Sequence, residues 1–377
     1  MSTESTEQIL HMNGGTGDHS YAHNATAPLK VTMRAKPIME ESIKKMFQRI
    51  ATSPSCLRIA DLGCSSGANA LKAASNIMDM ISMVAEEEAM IMSSDEKLPA
   101  TFQVFLNDLF GNDFNALFKV VPELHKEIRT KSDGLCFFNA TPGSFFGRLF
   151  PSHSIHFFHS SFAVHWLTQA PKEMRGEIEL PVDKEGSNVY LTSINPPSYK
   201  AQFKEDLKLF LRSRHEEIVP GGTMFLTLIG SYDTSDFIST PGILRQVIID
   251  MALEGMIEMG KLESLRIPIY HPTEKEMRKI IQEEGSFTIE RLESLRMCWD
   301  GSNLNEDGTD NDLYRFVDVG KRGVFLTKYL RSVFEPILRA QLGEGLMDEL
   351  FLRFQNKVTQ FMDRLEYPIL VLSLFVN

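Results

Sequence analysis

Gly63 and Gly67 bracket a turn of small residues, Gly63-Cys64-Ser65-Ser66-Gly67. The turn leaves a short apolar run, Ile59 to Leu62, and enters an amphipathic pattern from Asn69. That order reads as a buried strand, a glycine turn and a helix start. Glycines there let a ligand lie against the backbone at the strand's carboxyl end. The spacing G-x-x-x-G is neither the dinucleotide G-x-G-x-x-G nor the Walker G-x-x-x-x-G-K-[ST]. With an acid at Asp61 and no lysine in the turn, it suits a neutral or cationic nucleoside better than a polyphosphate. S-adenosylmethionine fits that description, and an ordinary strand-to-helix turn is the competing reading.

Three further segments offer chemistry. Leu106-Asn107-Asp108-Leu109 ends a second strand-like run, where an acid is placed to accept hydrogen bonds from a ribose diol. Asp108 is the ribose candidate with Leu109 flanking the base; its other reading is a cap on the next helix. Asp113 and Asn115 suit the capping role better. In Thr141-Pro142-Gly143-Ser144-Phe145-Phe146-Gly147-Arg148, Ser144 offers a hydroxyl and Phe145 a stacking face, and Arg148 suits a structural ion pair more than a substrate anion. After a fourth run comes His159-Ser160-Ser161-Phe162-Ala163-Val164-His165-Trp166. Side by side at a helix start, His165 and Trp166 would share one pocket. Trp166 brings a flat face and an indole N–H to orient a flat acid, and His165 either bonds substrate or simply packs. No Ser/His/Asp order or paired carboxylates stand out, so hydrolase machinery is not visible.

The elements that must position these groups alternate. Strand-like runs at Leu57–Leu62, Phe102–Asn107, Leu135–Asn139, Ser154–His159, Thr223–Ile229, Ser286–Leu292 and Ile369–Phe375 are separated by helical patterns, such as Ala70 to Glu88. Such alternation predicts an α/β open sheet. The last run returns after a long helical region and suits an antiparallel edge or penultimate strand. Two mainly helical regions, Asp233 to Tyr270 and Leu295 to Arg364, read as a cap over the sheet's carboxyl edge. The polar stretch Trp299 to Asp312 within the second reads as mobile.

Composition narrows the class. A net charge of −11 with no basic stripe argues against a nucleic-acid partner. Four cysteines, Cys56, Cys64, Cys136 and Cys298, show no C-x-x-C pairing, which indicates neither zinc nor a disulfide framework and suits a reducing compartment. No secretory pattern opens the chain and no apolar run suits a membrane span, so a cytoplasmic protein is expected.

Taken together these segments resemble the plant SABATH methyltransferases, which act on salicylate, benzoate, jasmonate, indole-acetate and similar acids, with relatives that methylate xanthine nitrogens. The resemblance runs from His11-Met12-Asn13-Gly14-Gly15 and Ser20-Tyr21-Ala22 through the segments above, Gln202-Phe203, Val219-Pro220-Gly221-Gly222 and Ile267-Pro268 to Gly285–Ile289. It implies a Rossmann-like α/β methyltransferase sheet of seven strands, the last ones antiparallel, with a mainly helical cap. The implied division is residues 1–232 for the N-terminal segment and main cofactor domain, 233–270 and 295–364 for the cap, 271–294 for a return to the sheet and 365–377 for the final strand. It implies S-adenosyl-L-methionine contacts at Tyr21, Cys64, Asn69, Asp108, Leu109, Ser144, Phe145 and Ser161. The acceptor falls against Tyr21, Phe162, His165 and Trp166, of which His165 and Trp166 are the catalytic pair. A homodimer is implied as well.

A carboxylate, with a pKa near about 4, is ionised at neutral pH and can attack a sulfonium methyl without a general base. Alignment alone then supplies on the order of 7–11 kcal/mol. Xanthine nitrogen chemistry also needs proton removal, so a histidine matters more there. Benzenoid-acid members usually carry lysine where this chain has Asn13 and glutamine near Pro28, which leaves Trp166 and His165 as the carboxylate partners. Gly67-Ala68-Asn69, Phe162 and His165-Trp166 echo the indole-acetate group, and xanthine relatives from tea also carry a histidine before the tryptophan. The aspartate-x-Phe-Asn sequence that binds a cation in some members reads Glu263-Ser264-Leu265-Arg266, so no metal site is predicted. The expected activity is carboxyl O-methylation of a small aromatic or hormone-like acid, of the indole-acetate, benzoate, cinnamate or salicylate type. The alternatives are xanthine N-methylation and, from another class, a small-acid binding protein without turnover.

Overall fold

A computed structural model describes residues 10–15, 17–50, 54–92, 101–131, 135–171, 197–232, 238–298 and 318–376. The chain opens with helices α1 (Tyr21–Asn24), α2 (Thr26–Arg34) and α3 (Lys36–Arg49). Then come β1 (Cys56–Leu62), α4 (Ala68–Met92), β2 (Thr101–Asp108), α5 (Phe114–Lys119), α6 (Val121–Lys131), β3 (Leu135–Pro142) and β4 (Ile155–Ser161). They are followed by α7 (Pro197–Glu217), β5 (Ile218–Ile229), α8 (Thr240–Leu253), α9 (Met259–Ser264), α10 (Glu274–Glu284) and β6 (Thr288–Cys298). Helices α11 (Val319–Leu342) and α12 (Met347–Gln360) precede the final strand β7 (Glu366–Phe375).

The strands form one seven-stranded sheet in the order β3-β2-β1-β4-β5-β7-β6. Strands β1 to β5 pair in parallel, and β7 runs antiparallel between β5 and β6. The last run is therefore a penultimate strand, one of the two places its long return allowed. β4 is buried on both faces, as the apolar Ile155-His156-Phe157-Phe158 requires, while edge strand β3 alternates toward solvent. Each face carries its own apolar core: one beneath α3, α4, α8, α11 and α12, the other beneath α7 and α10.

Chain order reverses between β1 and β4, and the crevice at the carboxyl ends of those strands is where an open α/β sheet binds ligands. The two helical regions supply α8 and α9, then α11 and α12. Residues 295–298, read from sequence as the start of the second region, instead finish β6, because Leu295 to Cys298 pair with Glu366 to Ile369. Residues 233–237 and the polar stretch Trp299 to Asp312 lie outside the described residues. Among the described residues no helix is long and apolar enough to cross a membrane.

Candidate active site

The end of β2 organises the crevice. The Asn107 carbonyl accepts from the N–H groups of Gly63 and Cys64, both at 2.9 Å, and so fixes the glycine turn. The Asn107 side chain donates to the carbonyls of Thr141 (2.7 Å) and Gly143 (2.9 Å), fixing the loop after β3. Gly63 adopts φ +77°, and a Cβ on it would stand 2.3 Å from the Cβ of Ala163. A Cβ on Gly67 would meet the Cα of Ala22 in α1 at 3.0 Å. The glycines are needed for packing against those chain segments first, and only Gly63 also borders the ligand cavity. Asp61 does not set the turn's charge toward a ligand. It is buried with its Oδ1 2.7 Å from Nδ1 of His159, its register partner on β4.

Asp108 follows Asn107 and its carboxylate reaches across the turn. Its Oδ2 accepts from the Ser65 N–H at 2.7 Å and its Oδ1 from the Leu109 N–H at 2.8 Å. Burial pushes its pKa up to about 6, against the lowering effect of those two donors. Asp113, by contrast, caps α5 by accepting from the Ala116 N–H, the role its spacing suggested.

The Ser144–Phe150 loop is held from below by a buried ion pair on α7. Arg214 Nε lies 2.8 Å from Glu217 Oε2, and both side chains are fully buried. Arg214 also donates to the carbonyls of Phe145 (2.5 Å) and Gly147 (2.8 Å), while Glu217 accepts from the Leu149 and Phe150 N–H groups. Arg148 pairs with Glu216 at the surface, a structural contact rather than a substrate one.

After β4, Phe162 takes a left-handed conformation with φ +58°, its N–H donating to the Thr227 carbonyl at 2.9 Å. A bulky residue there is strained and persists because the surrounding structure holds it. Ser161 Oγ accepts from the Thr227 hydroxyl, leaving its own O–H free to donate into the crevice. The next segment is strapped to residues 267–271: Leu167 N–H donates to Pro268, Tyr270 N–H donates to His165, and Trp166 bridges Ile269.

Two adjoining cavities result. The first, of about 790 Å³ with its mouth, is lined by Tyr21, Asp108, Leu109, Ser144, Phe145 and Ser161 from the predicted set, and by Gly63, Ser65, His11 and Asn112 besides. The second, of about 460 Å³, is lined by Tyr21, His165, His271, Tyr329, Leu330 and Phe334 among others. Phe162, Trp166, Tyr21 and Met12 face both. Cys64 and Asn69 line neither: the Cys64 thiol is buried against the Ser65 carbonyl, and Asn69 donates to the Ala25 carbonyl at 2.5 Å, tying α4 to the α1–α2 link.

The electrostatics differ between the cavities. The first has a carboxylate beside hydroxyls and apolar faces, a set that suits a nucleoside: acceptors for a diol at Asp108, a flat ring at Phe145 and an aliphatic contact at Leu109. The second is dominated by rings. His165 lies 5.6 Å from His271 and 6.1 Å from Trp166, which is 6.0 Å from Phe334. Burial, then the neighbouring His271, holds His165 well below the usual imidazole range, and burial takes His271 down to about 4. The Tyr21 hydroxyl is pushed up by burial and by Asp108. Asn13, where benzenoid-acid members carry lysine, donates to Glu335 of α11 and so braces the entry segment.

Sequence reading missed the Arg214–Glu217 pair, although a charged i, i+3 couple inside an apolar helix face was a usable signal. It also missed His271, Tyr329 and Phe334, which reach the cavity only through the fold's long return and carry no local motif.

With this geometry stand the comparisons. The profile of the SAM dependent carboxyl methyltransferases matches residues 7–376. A probable caffeine synthase of Coffea canephora is 37% identical over 94% of this chain and 93% of its own. Jasmonate O-methyltransferase of Arabidopsis thaliana is 36% identical over 97% and 98%. Among solved structures, loganic acid methyltransferase with SAH superposes with a TM-score of 0.75 at 28% identity, covering 97% of this chain and 98% of that one.

Proposed function

Since the chain belongs to the SABATH family of S-adenosylmethionine-dependent carboxyl methyltransferases, we propose that it converts the carboxylate of a small aromatic or hormone-like acid, of the indole-acetate, benzoate, cinnamate or salicylate type, to its methyl ester. The observation that carries the choice of acid is the weak basicity of the second cavity. No aspartate or glutamate lines it among the described residues, and burial holds both His165 and His271 below the usual imidazole range. A carboxylate is already ionised at neutral pH and needs no proton acceptor, whereas a purine N–H would need one.

When bound, S-adenosylmethionine supplies a sulfonium methyl group open to nucleophilic attack. Asp108 would accept from the ribose hydroxyls, Leu109 and Phe145 would sandwich the adenine, and Ser144, Ser161 and Tyr21 would meet the polar tail. Trp166 faces both cavities, so its indole N–H would hold the acceptor oxygen at the junction, with His165 beside it. Phe162 and Phe334 exclude water from that junction. Cys64 and Asn69 would act by shaping the turn and the start of α4. Cytoplasmic homodimers are proposed from the resemblance, and sedimentation of the purified chain tests the dimer.

One observation favours a second reading, N-methylation of a xanthine: among the described residues lining the second cavity there is no lysine or arginine to meet a carboxylate. Methyl-labelled S-adenosylmethionine with a panel of acids and xanthines separates the two. Label in base-labile esters is expected. Base-stable label on xanthines alone would replace the first reading with the second.

A further inference from the structure

His271 occupies a place in the second cavity that packing alone does not demand. It lies on the extended stretch 267–271, whose alternate side chains separate. Ile269 and His271 line the cavity, while the Tyr270 hydroxyl donates to Glu276 of α10 on the other side. The backbone beside it is held at both flanks. Tyr270 N–H donates to the His165 carbonyl at 2.9 Å, and Pro272 accepts from Ser231 N–H, just beyond β5, at 2.9 Å. A polar group on so fixed a backbone presents its edge in one direction, as a site that reads a ligand requires.

Its neighbour strengthens the case. The His165 ring is 2% exposed, its Nδ1 has no hydrogen-bond partner, and it meets the His271 ring nearly edge to face, at 75° and 5.6 Å. A buried imidazole nitrogen without a partner, as at His165, is unfavourable unless a polar ligand completes it, since an apolar ring would fill the space without that penalty. No aspartate, glutamate, lysine or arginine lines this cavity among the described residues, so the two imidazoles are its strongest hydrogen-bonding groups beside the Tyr21 and Tyr329 hydroxyls.

We propose that His271 is a specificity-determining residue of the acceptor cavity, pairing with His165 to form a hydrogen-bonding wall that recognises a strongly polar oxygen of a flat acceptor. This rests on the reading of the second cavity as the acceptor site. The oxygen belongs either to a carboxylate or to a purine carbonyl, and the arms of the test distinguish them.

The experiment measures, by calorimetry, binding of each acid and each xanthine to the complex of the full chain with S-adenosylhomocysteine. Wild type, His271→Phe and His271→Asn are compared, each with the tightest acceptor and with an isostere lacking its polar oxygen. Loss of one such hydrogen bond predicts that His271→Phe weakens the parent acceptor about tenfold or more, spares the isostere, and is partly rescued by His271→Asn. S-adenosylhomocysteine affinity stays within about threefold in both variants, which reports intact folding. Equal weakening of parent and isostere, or no weakening, overturns the proposal, because His271 would then only pack. If xanthines bind and acids do not, the ester-forming reading fails while the same parent-to-isostere ratio still judges His271. Absence of acceptor binding to the wild-type complex overturns both.

Discussion

Ser65 and Asp108 are joined across the crevice: the Ser65 N–H, in a left-handed turn residue, donates to Asp108 Oδ2 at 2.7 Å. The turn thereby aims the carboxylate, and the burial that goes with it pushes the Asp108 pKa up to about 6. Because this acid's folded pKa lies above its ordinary value of 3.8, its contribution to folding stability is full below 3.8 and is lost as pH rises through about 6. At neutral pH the free enzyme thus holds a charged, poorly solvated carboxylate that ribose hydroxyls would relieve. S-adenosylhomocysteine affinity, followed by calorimetry from pH 5 to 8, is expected to fall as pH drops through about 6. Asp108→Asn should weaken it about tenfold or more and flatten that pH dependence. A variant that keeps the same inflection would assign it to another group.

Trp166 lines both cavities, which sharpens what its removal must do. Trp166→Phe keeps a ring against Phe334 but loses the N–H along with part of the indole's flat face. Acceptor kcat/KM is expected to fall about tenfold to a hundredfold, the worth of a hydrogen bond to a charged group. Cofactor affinity should change by less than about threefold. A collapse of cofactor affinity with acceptor KM unchanged would mean that the indole serves the first cavity instead.

Arg214 and Glu217 predict a stability effect that spreads to the site. Arg214→Met leaves Glu217 buried without its countercharge and frees the carbonyls of Phe145 and Gly147. Removing one partner of such a pair costs about 3–5 kcal/mol, visible as a lower urea midpoint. Cofactor binding should weaken as well, since Phe145 lines the first cavity. A stability loss under about 1 kcal/mol would show that the pair is dispensable.

The strands and the lining of the first cavity were legible because they rest on local signals. Apolar runs between turns located all seven strands to within a few residues except β5 and β6: β5 begins at Ile218 and β6 extends to Cys298. Those two ends are set by pairing with distant β4 and β7, which no window of sequence displays. Asp108 could be placed in the first cavity because the end of the second strand is a fixed position in an α/β sheet. The second cavity was half legible: Phe162, His165 and Trp166 follow β4 directly, but His271, Tyr329 and Phe334 arrive from the helical returns. Asn69, at the same turn, lines neither cavity: its amide donates to the Ala25 carbonyl, a tertiary contact that no local motif displays.

Phe162 offers a test in which the usual order of two substitutions reverses. In ordinary backbone, glycine is less stable than alanine by about 0.5–1 kcal/mol, through its greater unfolded freedom. At φ +58° a Cβ is itself the burden, of about 1–2 kcal/mol, so Phe162→Gly should be more stable than Phe162→Ala by roughly 1 kcal/mol. Urea unfolding of both variants measures the difference directly. Both lose the buried ring at the junction of the two cavities, so acceptor turnover should drop in each alike. If the alanine variant proved the more stable, the backbone at Phe162 would have to relax out of the left-handed region, and the hydrogen bond from its N–H to Thr227 could not be what holds the ring in place.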